Sequence, residues 1–164
     1  TKLKLDALNS FQGVPRRQQV LVDRADLTVI EDFGHHPTAL DLTLESLRAR
    51  YPKHRLVACF EPRSNTAARK VMQDAFREAL KQADEVFLAP PHRADKLGEE
   101  RFDSEGVAPA ITDAGKKGFA SASNEALLAE LTAVVKGDPS PRCVIFFSNG
   151  AFGGIIQKFA QAFA

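Results

Sequence analysis

Three short runs carry the side chains with the most chemistry in this 164-residue chain. The first is Glu31-Asp32-Phe33-Gly34-His35-His36-Pro37, a carboxylate pair and two imidazoles around a glycine. Such groups can hold ribose hydroxyls, phosphates or a metal. They also suit an ordinary strand-to-helix turn, in which Asp32 and His36 cap a helix begun by Pro37. Both readings stand open. A zinc site is disfavoured, because adjacent histidines do not converge easily on one ion and no further ligands stand at typical spacing.

The second run is Glu61-Pro62-Arg63-Ser64-Asn65-Thr66. Arg63 offers a planar fork for a carboxylate or phosphate, flanked by small polar donors. Ser64 or Asn65 can equally cap a helix, and a helix N-terminus itself attracts anions. The third, Ser148-Asn149-Gly150-Ala151-Phe152-Gly153-Gly154, lies between a strand and a helix. Its spacing departs from G-x-G-x-x-G, so it is weak as a dinucleotide fingerprint. Its glycines allow a sharp turn or the close approach of a substrate. The pair Arg16-Arg17 can neutralise phosphate or stand as solvated edge-strand charge. There is no G-x-x-x-x-G-K-[ST], so a triphosphate used here must be held by another domain.

The elements that position these runs alternate in type. Arg17–Val22 and Leu27–Phe33 read as strands joined by an Asp23–Asp26 turn. Pro37 opens a helix carrying Leu40, Leu44, Leu47 and Tyr51 on one stripe, stopped by Pro52. Leu56–Phe60 is a continuous apolar run, as in a strand buried on both faces. A helix from about Thr66 presents Ala68, Met72, Ala75 with Phe76, and Ala79. Glu85–Ala89 is the next buried strand. Pro90 to about Gly118 is polar, and reads as a long surface excursion with a short helix. Phe119–Ser121 reads as an edge strand, and Ala126–Val135 as a helix burying Leu127, Leu128, Leu131 and Val135. Arg142–Phe147 is the last strand, and the closing helix carries Ile155, Ile156, Phe159 and Phe163. Alternation of this kind predicts an α/β fold, a mostly parallel sheet with helices on both faces and an antiparallel hairpin at one edge. Ligands of such sheets bind beyond the carboxyl ends of the strands, and all three runs fall there.

Composition narrows the class. An apolar fraction of 44% and a charged fraction of 26% suit one soluble domain. Lys and Arg (22) nearly balance Asp and Glu (21), which gives no reason to expect nucleic acid or a membrane as partner. Cys59 and Cys143 sit in apolar runs and read as buried core thiols, consistent with a reducing, cytoplasmic setting. Thr1–Phe11 reads as the end of a helix whose body lies upstream. Residues 1–14 are therefore expected to be the tail of a preceding domain or linker, and 15–164 the domain itself.

Phe11-Gln12-Gly13-Val14-Pro15-Arg16-Arg17, then Glu31 to Thr38, then Phe60 to Thr66, then Ser148 to Ile155 resemble the C-terminal domain of the Mur ligases. The second and third runs look most like the murein-recycling branch of that family. The L-alanine-adding branch has a different second run and a Gly-Ala-Gly-Asp turn at the third. The resemblance implies a Rossmann-like domain that follows an N-terminal UDP-binding domain and a central ATPase domain in the same chain. It implies an ATP-dependent ligase, using Mg2+ held mainly by the central domain. That ligase would join L-Ala-γ-D-Glu-meso-diaminopimelate to UDP-N-acetylmuramate through an acyl phosphate. By resemblance Arg17 reaches the ATP phosphates, Asp32 the ribose, and His35 and His36 line the nucleotide and reaction site. Arg63, Ser64 and Asn65 face the incoming peptide, and Asn149, Gly150 and Phe152 shape its pocket. No residue of this chain is assigned a catalytic step, and the isolated domain is expected to be inactive. The 90–118 segment is longer and more charged than the resemblance predicts, and Phe33 stands where relatives often have Tyr. An L-alanine ligase, a free-standing nucleotide-binding module and a histidine-based metal hydrolase are the competing readings.

Overall fold

The computed structural model describes residues 14–164; the predicted helix tail at Thr1–Phe11 lies outside them. Six strands form one sheet in the order β1-β2-β6-β3-β4-β5. They are β1 (Gln19–Asp23), β2 (Leu27–Asp32), β3 (Arg55–Phe60), β4 (Glu85–Leu88), β5 (Lys117–Ala120) and β6 (Arg142–Phe147). Only the β1–β2 pairing is antiparallel. The mostly parallel sheet with an antiparallel edge hairpin is therefore as the sequence predicts.

The sheet is covered on both sides, which explains its continuous apolar strands. Alternate residues of β6 divide between the two faces: Cys143, Ile145 and Phe147 join one cluster, Val144 and Phe146 the other. Helix α1 (Pro37–Arg50), helix α2 (Gln73–Leu80) and, further along, helix α4 (Ser104–Asp113) cover the first face through Leu40, Leu44, Phe76, Val107 and Ile111. Helix α5 (Asn124–Gly137) and helix α6 (Ile155–Ala162) cover the second through Leu127, Leu131, Ile155 and Phe159. Both cysteines are buried and unpaired. Burial pushes the Cys143 thiol up to about 12 and raises that of Cys59 as well, so both pack as small apolar groups. Among the described residues no helix is long and apolar enough to cross a membrane.

Four expectations need correction. The first strand begins at Gln19 rather than Arg17, because Arg16 (φ 60°) and Gln18 (φ 45°) take left-handed backbone. The helix expected from Thr66 starts only at Gln73, after a 3-10 turn at Lys70–Met72. Arg69 is extended there and bridges Arg101, while the Phe102 N–H donates to the Ala68 carbonyl at 2.7 Å. Within α2 it is Phe76, not Ala75, that faces the core.

The fourth correction concerns the segment from Pro90 to Gly118, which is not a surface excursion. Short helix α3 (Ala94–Leu97) and a 3-10 turn at Gly98–Glu100 are followed by the ten-residue helix α4. Asp103 caps α4 by accepting from the Gly106 N–H at 3.0 Å. Phe102 is fully buried, with its ring centroid 5.9 Å from that of Phe60 and 6.3 Å from that of Phe76. Edge-on aromatic contacts of this kind anchor the segment to the core. The segment is a βαβ crossover whose apolar stripe is interrupted in sequence by Gly106 and Pro109. Strand β5 accordingly begins at Lys117, two residues earlier than expected.

Candidate functional site

Parallel register sets the site. Asp32, Phe147 and Phe60 end neighbouring strands at one level, so the runs that follow emerge side by side. The Ser148 N–H donates to the Asp32 carbonyl, and the Glu61 N–H to the Phe147 carbonyl, each at 3.1 Å. The three runs thus share one rim before any side chain is considered.

Side chains then join them. Arg16 pairs through Nε with Glu31 at 2.7 Å. Its Nη2 donates to the Ser148 carbonyl at 3.0 Å and also to that of Gly150. The Ser148 hydroxyl donates to Glu61 Oε2 and accepts from the Gly150 N–H at 2.9 Å. Arg63 Nη1 stands 3.6 Å from Glu61 Oε1. A continuous chain of charge-assisted contacts therefore runs Glu31–Arg16–Ser148–Glu61–Arg63. Glu31, Glu61 and Ser148 are all nearly buried, as polar groups can be when every one has a partner.

Glycine at 150 is needed for space. A Cβ there would lie 2.7 Å from Arg63 Cζ, with Nε and Cδ nearer still. The Arg63 side chain lies against the Gly150 backbone and remains 37% exposed. Ser64 Oγ accepts from the Ala67 N–H at 3.0 Å, and Asn65 is exposed beside it. Asn149 Oδ1 is buried with no donor among the described residues. Phe152, at φ 49°, is fully buried edge-on to Phe146. Its ring anchors the loop from beneath.

The first run is arranged differently. Asp32 is buried, and its carboxylate accepts from the Gln18 N–H (2.9 Å) and the Gly34 N–H (2.7 Å). Those two bonds hold the strained Arg16–Gln18 backbone and the turn after β2. Arg17 is exposed, its guanidinium 5.3 Å from the Phe33 ring centroid. His35 is exposed, with Nδ1 3.0 Å from the Phe33 carbonyl oxygen. His36 caps α1 by accepting from the Thr38 N–H at 3.4 Å. Among the described residues no three His, Cys, Asp or Glu side chains gather as a metal-holding group.

The sequence offered Arg16 and Arg17 as an undivided pair and Glu31, Glu61 and Ser148 only as members of their runs, with no individual role for Arg16 or for these three. One signal was present. Glu31 follows Val29-Ile30 and Glu61 follows Leu56–Phe60, apolar stretches after which a carboxylate that stays buried needs a partner.

An α/β domain with a polar, cation-bearing rim beyond its parallel strands belongs to the broad class that binds ligands at strand ends. Within that class the chain belongs to the Mur ligase family: the family described as Mur ligase, glutamate ligase domain, matches residues 16–150. It is 34% identical over 97% of its length to the UDP-N-acetylmuramate–L-alanyl-γ-D-glutamyl-meso-2,6-diaminoheptandioate ligase of Escherichia coli. It is 31% identical over 94% of its length to the UDP-N-acetylmuramate–L-alanine ligase of Hydrogenovibrio crunogenus. It covers 32% of the first relative and 34% of the second, so the chain spans about a third of each. Among solved structures, a murein peptide ligase from Psychrobacter arcticus superposes with a TM-score of 0.71 at 29% identity. That superposition covers 96% of this chain and 32% of the other.

Proposed function

We propose that this chain is the C-terminal domain of an ATP-dependent amide ligase that joins L-Ala-γ-D-Glu-meso-diaminopimelate to UDP-N-acetylmuramate. It would work with an N-terminal UDP-binding domain and a central ATPase domain of the same protein. ATP, held chiefly by the central domain, transfers its γ-phosphoryl group to the lactyl carboxylate and leaves as ADP; the peptide's neutral α-amine then attacks the acyl phosphate carbon, and phosphate and a proton are released as the amide forms. This domain closes over the nucleotide, excludes water and aligns the amine.

The single observation that carries the reading is the bonded chain Glu31–Arg16–Ser148–Glu61–Arg63, which ties a nucleotide-type turn and a carboxylate-type cation into one rim. Arg17, exposed over Phe33, suits the phosphates. His35 and His36 suit the nucleotide edge. Asp32 keeps unused lone pairs for a ribose hydroxyl although two backbone N–H groups already occupy it. Arg63 suits a peptide carboxylate, with Ser64, Asn65 and Gly150 around it, and the unpartnered Asn149 Oδ1 suits a donor brought by the substrate. Phe152 contributes by fixing the loop. Mg2+, held chiefly by the central domain, would stabilise the transferring phosphoryl group.

An L-alanine ligase is the second reading, favoured by the 31% identity to such an enzyme. The deciding experiment supplies the full-length protein with ATP, magnesium and UDP-N-acetylmuramate, then compares tripeptide with L-alanine. Tripeptide-dependent phosphate release, weakened in Arg63→Ala, is expected. Release with L-alanine alone selects the second reading, and release with neither removes both.

A further inference from the structure

Beside Arg63, away from the nucleotide-type turn, lies a cavity of about 210 Å3. Arg63, Asn65, Arg69, His92, Arg93 and Lys96 line it. Three of its cations, Arg69, Arg93 and Lys96, come from outside the recognisable runs. Among the described residues none of these three has a carboxylate within 4 Å, whereas Arg63 has Glu61 at 3.6 Å. Uncompensated cations facing one concavity repel one another, an arrangement stabilised by an anion.

The wall is built rather than loosely draped. The His92 N–H donates to the Pro62 carbonyl at 2.9 Å, and Arg93 begins α3 in left-handed backbone at φ 58°. Such a conformation is strained for arginine and persists only where the surroundings hold it. On the other side the Arg69–Arg101 bridge and the Phe102-to-Ala68 hydrogen bond fasten the segment again. Buried Phe102 then ties it to the core.

We propose that this pocket is a second carboxylate subsite, in which Arg69, Arg93 and Lys96 read a carboxylate of the incoming peptide other than the one paired with Arg63. The inference rests on the peptide-ligase reading above. The shared chemistry is an oxyanion, and a nucleotide phosphate is the other source of one. Position favours the peptide. The pocket follows β3 and β4, whereas Arg17, Phe33 and His35 flank the end of β2. Three strand spacings separate β2 from β4, roughly 14 Å in all.

The test uses the full-length protein with Arg93→Asn and Lys96→Gln, singly and together. Asparagine tolerates left-handed backbone, so the charge is removed without new strain. In the double variant the KM for the tripeptide should rise about tenfold or more with kcat within about twofold, and the KM values for ATP and UDP-N-acetylmuramate should hold. Tripeptides amidated at one carboxylate at a time should include one whose wild-type KM is raised and that no longer distinguishes wild type from variant. A raised KM for ATP or for UDP-N-acetylmuramate instead would reassign the pocket to phosphate and overturn the proposal. So would an unchanged tripeptide KM in an active enzyme. Calorimetric titration of the tripeptide separates the two layers. Binding that depends on Arg93 and Lys96 without turnover ends the ligase reading and keeps the subsite. Binding indifferent to both, or none at all, ends the subsite.

Discussion

Strand β6 has charge clusters at both of its ends, and they are organised in opposite ways. At the amino end Arg142 is 1% exposed and meets Asp138 at 2.8 Å and Glu85 at 3.8 Å. Its Nη1 also donates to the carbonyls of Asp138 and Ser140, and Arg55 and Lys117 close on Glu85 from outside. The cations there all have carboxylates to answer them. At the carboxyl end Arg16 and Arg63 are answered by Glu31 and Glu61, but among the described residues no carboxylate answers Arg17, Arg69, Arg93 or Lys96. A charge cluster that closes on itself holds the fold. One that stops short of neutrality and faces a cavity is prepared for a ligand.

The difference can be broken at either end. Arg142→Met should cost about 3 kcal/mol in urea unfolding, because Glu85 loses its buried neighbour. A cost below about 1 kcal/mol would mean that Arg55 and Lys117 suffice, and that the amino end is less closed than its geometry suggests. Arg16→Ala removes a half-exposed cation, so its stability cost should be nearer 1 kcal/mol. Its kinetic cost should be larger, appearing in the KM for both ATP and tripeptide, since Arg16 ties the turn after β6 to β2. Gly150→Ala sharpens the contrast further. It should change stability little while displacing Arg63, raising the KM for the tripeptide about tenfold and leaving that for ATP in place.

Acid gives the smallest effect. The hydroxyl and N–H of Ser140, with Arg142, hold the Asp138 carboxyl below its ordinary 3.8. Burial pushes Asp84 up, but Arg48 and the Leu56 N–H outweigh it and leave that carboxyl low as well. Below about pH 4 the unfolded chain therefore takes up protons before the folded chain does, and stability present above that pH is lost as it falls. Asp138→Asn should flatten the fall in urea-unfolding stability below about pH 4. An unchanged slope would assign acid sensitivity to other carboxylates.

Strand alternation and the placing of three runs on one rim were legible in the sequence, because both follow from local apolar pattern and the parallel sheet rule. The bonds that unite the rim were not. Arg16 and Arg17 are neighbours of identical type, and only the positive φ of Arg16 and Gln18 decides which one turns inward. The break at Arg69 was equally hidden, since it depends on a backbone bridge to Arg101, 32 residues away. Segment 90–118 read as polar because Lys96, Glu99, Glu100 and Arg101 outnumber the few side chains, Phe102, Val107 and Ile111, that carry its burial.

The central position of β6 has a consequence for folding order. It is the last strand in the chain and lies between β2 and β3, so it alone joins the hairpin to the other half of the sheet. Until residues 142–147 arrive, both halves present bare apolar edges at the future centre of the molecule. Unpaired edges of that kind invite mispairing, and their closure waits on a contact spanning more than a hundred residues between β2 and β6. A chain stopped before β6 would be two incomplete sheets prone to aggregate. The strand that ends this exposure also delivers Ser148 to the rim, so the molecule gains its seam and its ligand-binding surface in the same event.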